Sequence, residues 1–144
     1  MATISAVETR NVSRSSSAQD KIALVGRVLL AAIFVMSGLG KVAAPAATLA
    51  YMKAAGLPFA PLGLAGAALI ELGGGLALIL GYRTRLAATI LAVFALITAL
   101  IFHSALADQN QLIHFFKNVA MAGGLLQVVA FGGGRLSLDA RSSK

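Results

Sequence analysis

The chain has 144 residues, of which 58% are hydrophobic and 12% charged, with a formal net charge of +7 and a mean hydropathy of +0.86. Soluble domains carry about 25% charged residues, so the composition argues against a water-soluble globular fold, and with it against nucleic acid as the target of the basic charge. There is no cysteine, which removes disulfides, thiol exchange, thiolate metal sites and Cys-ligated iron–sulfur clusters from what this chain supplies alone.

Residues 1–20 are rich in Ser, Thr and charge and lack a sustained apolar face, so burial would not offset the entropy of ordering them, and they are read as a disordered cytoplasmic tail. Apolar segments follow at about 22–42, 62–81, 86–106 and 115–132, each near the roughly 20 residues that cross about 30 Å of hydrocarbon. The first is bracketed by Arg27 and Lys41. The second follows Pro58 and Pro61 and carries one charge, Glu71. The third has no formal charge and holds His103 near its end. The fourth opens on Lys117 and Asn118 and stops at the Gly132-Gly133-Gly134 run.

The connection Tyr82-Arg83-Thr84-Arg85 is short enough to force segments two and three into an antiparallel hairpin. Residues 43–61 form a longer apolar link, expected along the membrane interface, and residues 107–114 a polar turn. Residues 135–144 read as a basic cytoplasmic tail. The fold class is therefore all-α: an integral membrane four-helix bundle, antiparallel and up-down, occupying residues 21–134. Arg10, Arg14, Lys21, Arg83, Arg85, Arg135, Arg141 and Lys144 gather on one side, against Lys41, Lys53 and Lys117 on the other. The positive-inside rule then places both termini in the cytosol of a bacterial inner membrane.

Small residues mark helix contacts in lipid, where burial gives no drive for association. Gly63, Ala67, Glu71 and Gly75 recur every four residues, and Ala88, Ala92, Ala95, Ala99 and His103 form a similar stripe, so Glu71 and His103 are expected to face inward. Arg27, Phe34 and Lys41 lie seven apart, with Gly38 on the same face. At about 1.5 Å rise per residue, Glu71 falls roughly 14 Å below the outer end and Lys41, His103 and Asn118 roughly 4–9 Å below it. These four residues form the candidate polar pocket. An ionised Glu71 facing hydrocarbon would cost several kcal/mol, so its expected partners are Lys41, through water from outside, or Arg27 from the inside. A purely structural role for Glu71, as glue between helices, is an equal reading. His103 and His114 flank one turn but have neither set spacing nor a carboxylate partner, so no metal site is expected and haem is disfavoured.

Gly26-Arg27, Phe34-Val-Met-Ser37-Gly38-Leu-Gly40-Lys41, Gly56-Leu57-Pro58, Glu71-Leu-Gly-Gly-Gly75 running to Gly81, Arg85 and Lys117-Asn118 together resemble the DoxX family of small four-helix bacterial membrane proteins, over about residues 22–132. The resemblance implies a membrane partner of oxidoreductases: a related branch is named as a subunit of a thiosulfate:quinone oxidoreductase, and others are linked to oxidative-stress or catechol-linked redox systems. It carries over Arg27, Lys41, Glu71, Arg85 and Asn118 as motif positions without assigned chemistry, beside Gly38, Gly75 and Gly81 as structural positions. Three functions are open: a membrane subunit of a quinone-linked redox system using the Glu71 pocket, an anchor or scaffold for a soluble enzyme, and a small transporter or proton pathway. Expected partners are the lipid bilayer, an oxidoreductase and further copies of the chain, and quinone is the cofactor to test.

Overall fold

In the computed structural model the backbone is described for residues 2–142 and the side chains for residues 17–142. Six helices follow in order: α1 (Ala2–Ala43), α2 (Pro45–Ala54), α3 (Ala60–Leu80), α4 (Thr84–Phe102), α5 (Gln109–Phe131) and α6 (Leu138–Ser142). Four stretches, Ser17–Ala43, Ala60–Leu80, Thr84–Phe102 and Gln109–Phe131, are long and apolar enough to cross a membrane. The ten-residue α2 is too short to do so.

The spans match the four expected segments, and their ends differ for identifiable reasons. Helix α1 starts at Ala2, over a stretch where no ordered structure is expected. Neither Pro nor Gly occurs before Gly26, so nothing stops the helix from propagating backward out of the apolar span, each residue adding one hydrogen bond. The side chains of residues 1–16, including Arg10 and Arg14 of the charge argument, lie outside the described residues, as does Lys144. Helix α5 starts at Gln109 instead of near residue 115, because the Asp108 carboxylate caps it by accepting from the Gln111 backbone N–H at 2.9 Å. Apolarity marks the membrane-embedded part of that helix, and its polar first turns are invisible to such a criterion. Helix α4 ends at Phe102, with His103 as its C-cap outside the helix proper.

Helices α1 and α3 are antiparallel, and their register can be read from side-chain contacts. Arg27 meets Leu78. A Cβ on Gly75 would lie 2.7 Å from Val35 Cγ2, and one on Gly38 would lie 2.8 Å from Leu72 Cγ. Glycine at these two positions is what lets the backbones approach. The core continues through Ala31, Phe34, Leu78, Ala88, Leu91, Ala92, Ala95, Ala122 and Leu125, so the small-residue stripes of the second and third segments face inward. Helix α5 closes the ring against α4 and touches α1 where Gly124 faces Leu30.

Two of the reversals are glycine-capped. Gly56 (φ +75°) and Gly81 (φ +68°) occupy the left-handed region at the ends of α2 and α3. Each is followed by an N–H bonded back to the preceding turn, Leu57 to Met52 at 3.0 Å and Tyr82 to Ala77 at 2.9 Å, which satisfies carbonyls the helix end leaves orphaned. Between α1 and α3 the apolar link packs as α2 onto the bundle. Met52 joins a second core with Ala60 and Ala67, and Tyr51 stacks on Phe102 with ring centroids 5.5 Å apart.

Candidate functional site

Two polar clusters sit toward opposite ends of the α1–α3 pair. The first is built on Glu71, which the four-residue stripe of α3 turns inward, leaving it 4% exposed. Lys41, at the last turn of α1, donates to Glu71 Oε1 at 3.0 Å and lies 2.9 Å from Oε2. It also donates to Ser37 Oγ, one turn earlier on α1, at 2.8 Å. The ammonium is thus within about 3 Å of both carboxylate oxygens, an ion pair at a buried position. Of the two expected partners the structure selects Lys41, and the contact is direct, without an intervening water. The long lysine stem covers the depth difference from the helix end to the middle of α3.

A cavity of about 690 Å³ extends from this ion pair. Its lining includes Lys41, Glu71, His103 and Asn118, so all four expected pocket residues share one space, together with Lys117, Ser37 and Thr48. The remaining wall is apolar, with Phe34, Phe94, Phe102 and Met121 from the spans and Tyr51, Met52 and Leu57 from α2 and its link. Ile33, Ile97 and Ile101 also line it while being 37%, 48% and 40% exposed. These positions lie on candidate spans, so the cavity wall continues onto the lipid-facing surface. Asn118 is buried and turns its amide back onto the His114 carbonyl at 2.9 Å. His103 Nδ1 lies 2.8 Å from Gln111 Oε1, its ring stacks on His114 with centroids 5.1 Å apart, and His114 Nδ1 lies 3.0 Å from Lys117 Nζ. Among the described residues no group of three His, Cys, Asp or Glu comes together as a metal site would require.

The second cluster holds the motif positions Arg27, Gly81 and Arg85, and their partners after residue 133 were not legible in the sequence. Arg27, 1% exposed, does not reach Glu71. It donates from one guanidinium nitrogen to the Leu78 carbonyl at 3.0 Å and from the other to the Leu136 carbonyl at 2.7 Å. The segment expected as a basic cytoplasmic tail is thus tied to the bundle through Leu136. Asp139, on α6, accepts from the Arg83 N–H at 2.7 Å, the Thr84 N–H at 2.8 Å and the Thr84 hydroxyl at 2.7 Å. It thereby supplies in trans the carboxylate that the N-terminus of α4 lacks locally. Burial alone would raise the Asp139 pKa. The hydrogen bonds from Thr84 and Arg83 and the charge of Arg27 outweigh it and hold the carboxyl below its ordinary range. Gly81 is required here twice over, since its φ is positive and a Cβ would strike the Arg27 guanidinium and Ser137. Arg85 lies over Gly132, at the end of α5. The sequence signals for this cluster were the motif positions Arg27, Gly81 and Arg85 and, for their partner segment, an acidic residue within a basic tail.

A DoxX family profile matches residues 22–104, more than half of the chain. The chain belongs to the DoxX family. A profile of the SURF4 family matches residues 67–144, which takes in α6 and Asp139. The DoxX chain is 40% identical to inner membrane protein YqjF of Escherichia coli (strain K12) over 121 residues, 84% of this chain and 92% of that protein. It is 31% identical to inner membrane protein YphA of the same organism over 130 residues, 87% of this chain and 93% of that protein. No solved structure matches. The protein is accordingly a multi-pass inner-membrane protein with four spans.

Proposed function

We propose that the protein binds a membrane-dissolved quinone in the Glu71 cavity, as a membrane subunit or accessory of a quinone-linked oxidoreductase. The observation that carries this reading is the make-up of the cavity: the buried Lys41–Glu71 ion pair and a few further polar groups, Ser37, Thr48, His103, Lys117 and Asn118, line a mostly apolar chamber whose wall runs out to the lipid-facing Ile33, Ile97 and Ile101. Its volume of about 690 Å³ falls within the roughly 300–1,000 Å³ of small-molecule sites. A ring bearing two oxygens matches a site with a few polar groups set in a mostly apolar wall. Lys41, fixed by its ion pair with Glu71, is a donor for one oxygen. Phe34, Phe94, Phe102 and Met121 offer flat and deformable surface to a ring. When bound, a quinone would supply a two-electron, two-proton couple. The protein's own residues would hold and orient the headgroup, keep the tail in hydrocarbon and exclude bulk water.

The lysine and arginine distribution supports a cytosolic location for both ends, with the cavity toward the opposite face. A cysteine-free chain allows this to be read directly from single cysteines placed at Ser17 and Ser104, labelled with an impermeant maleimide on either side of the membrane.

The test of the function is purification in mild detergent from native membranes, followed by lipid extraction and chromatography of quinones. The expected result is near-stoichiometric quinone with the wild type and depletion in Glu71→Gln. Absence of quinone from the wild type, together with no binding of added short-tailed benzoquinone, refutes the reading.

A further inference from the structure

We propose that a second site, at the end of the bundle where α4 begins and α5 stops, holds the phosphate of an anionic phospholipid. It is separate from the Glu71 cavity and independent of the quinone reading. A groove of about 540 Å³ lies there, with Arg83, Arg85 and Leu86 on one side and the Gly132-Gly133-Gly134 turn on the other. Arg27, at the same end of the bundle, is buried and spends its guanidinium on two carbonyls. Arg83 and Arg85 differ from it: both side chains are exposed, and neither guanidinium has a hydrogen-bond or ion-pair partner among the described residues. The glycine turn leaves them uncovered, since a Cβ on Gly132 would lie 3.5 Å from Arg85 Nε. The backbone N–H groups of Gly133 and Gly134 likewise donate to no carbonyl or side chain among the described residues.

Two carboxylates stand close by, and both are already supplied with donors. Asp139 accepts from the Arg83 N–H, the Thr84 N–H and the Thr84 hydroxyl, so the start of α4 is capped from within the chain. Asp20 accepts from the Arg135 N–H and lies 3.9 Å from Arg135 Nε. What faces the groove unspent is therefore guanidinium, whose planar fork matches a phosphate better than an ammonium does. The lipid is selected over a soluble phosphate by what adjoins the arginines. Helices α4 and α5 are candidate spans, and the groove sits at their ends, the level at which basic pockets between spans meet lipid headgroups. Leu86, which lines the groove, and Phe131, next to Gly132 in the chain, are exposed on those spans. An apolar surface thus runs from the arginines into the hydrocarbon, and acyl chains would cover it. A zwitterionic headgroup gains less here, because its ammonium would enter a region already edged by Arg83, Arg85 and Arg135.

The test uses the full-length protein, delipidated in detergent and titrated with phosphatidylglycerol, phosphatidylcholine or glycerol phosphate, with native mass spectrometry counting bound molecules. One phosphatidylglycerol per chain should be retained at least about tenfold more tightly than phosphatidylcholine, the scale of two basic residues beside an anionic lipid. Glycerol phosphate carries the same anion without acyl chains and should not bind at concentrations that saturate the lipid. Arg83→Gln with Arg85→Gln removes the two guanidinium groups while leaving the Arg83 N–H bond to Asp139 in place, and should abolish the preference. Arg135→Gln with Arg141→Gln removes the same charge outside the groove lining and should change binding less than about twofold, as for surface charges at a distance. Should the first pair lose its helical circular dichroism, Arg85→Lys reads the same contact. It keeps the charge and gives up the fork, with an expected loss of about threefold, a fraction of a charge-assisted hydrogen bond. Equal retention of the two lipids, an equal loss in the control pair, or an unchanged affinity in Arg85→Lys each overturns the site as diffuse surface charge. Glycerol phosphate binding as tightly as phosphatidylglycerol overturns the lipid in favour of a free phosphate.

Discussion

Removing Lys41 should cost far more than removing Glu71, even though the two form one ion pair. The asymmetry follows from depth: the Lys41 side chain is 19% exposed and Glu71 only 5%. An unpaired Lys41, at the last turn of α1, can extend its stem toward the headgroup region. An unpaired Glu71, in the middle of α3, has nowhere to go. Breaking a buried pair so that a charge is left behind costs about 3–5 kcal/mol. Neutral hydrogen bonds between membrane helices are worth only about 0.6 kcal/mol on average, but here the residual group is a carboxylate. Lys41→Met is therefore expected to destabilise by about 3 kcal/mol and Glu71→Met by about 1 kcal/mol, the level of an ordinary lost hydrogen bond. The double replacement Lys41→Leu with Glu71→Leu removes both charges and should return to within about 1 kcal/mol of the wild type, as apolar substitutes for buried pairs do. The assay is reversible unfolding in mixed micelles titrated with sodium dodecyl sulfate, followed by far-ultraviolet circular dichroism. Equal losses for the two single variants, or a double variant as unstable as their sum, would refute the depth argument.

At the opposite cluster, Asp139 is held below its usual pKa. The stability it contributes is therefore present above the ordinary carboxyl value of about 3.9 and is lost as pH falls through the depressed folded value. The thermal midpoint of the wild type should fall on acidification below about pH 4, with a shallower slope in Asp139→Asn. That variant should also lose about 1 kcal/mol at neutral pH, the scale of a helix cap, and expose the segment after Arg135 to limited proteolysis. Arg27→Lys should behave nearly as badly as Arg27→Met in the same proteolysis assay. A single ammonium does not reproduce the two guanidinium donors that reach Leu78 and Leu136. Gly75→Val should open the α1–α3 seam at a cost of about 1–3 kcal/mol, because a Cβ there already meets Val35. Gly73→Val, on the same helix with nothing within 4 Å, should unfold like the wild type.

The elements and their faces were legible because they rest on local rules. Twenty-residue apolar runs define spans, and a four-residue repeat of small side chains defines a contact stripe whatever it contacts. Gly63, Ala67, Glu71 and Gly75 therefore declared which face of α3 is packed, and with it that Glu71 points inward. The helix ends were less legible, since Asp108 extends α5 with polar residues that a hydropathy criterion discards.

Partner choice was decided only by the tertiary structure. Arg27 and Lys41 share one face of α1 and were equivalent candidates for Glu71. It is the antiparallel register, set where Val35 meets Gly75 and Leu72 meets Gly38, that brings Lys41 to the carboxylate and leaves Arg27 at the Leu78 carbonyl. The distance along the chain between Arg27 and Leu136, or between Thr84 and Asp139, has no periodic signature. A basic tail and a folded latch have the same composition until the N-terminus of α4 and the end of α3 are placed beside it. Periodicity specifies which direction a side chain faces, whereas the partner waiting there depends on how far one helix slides along another, and that is a property of packing.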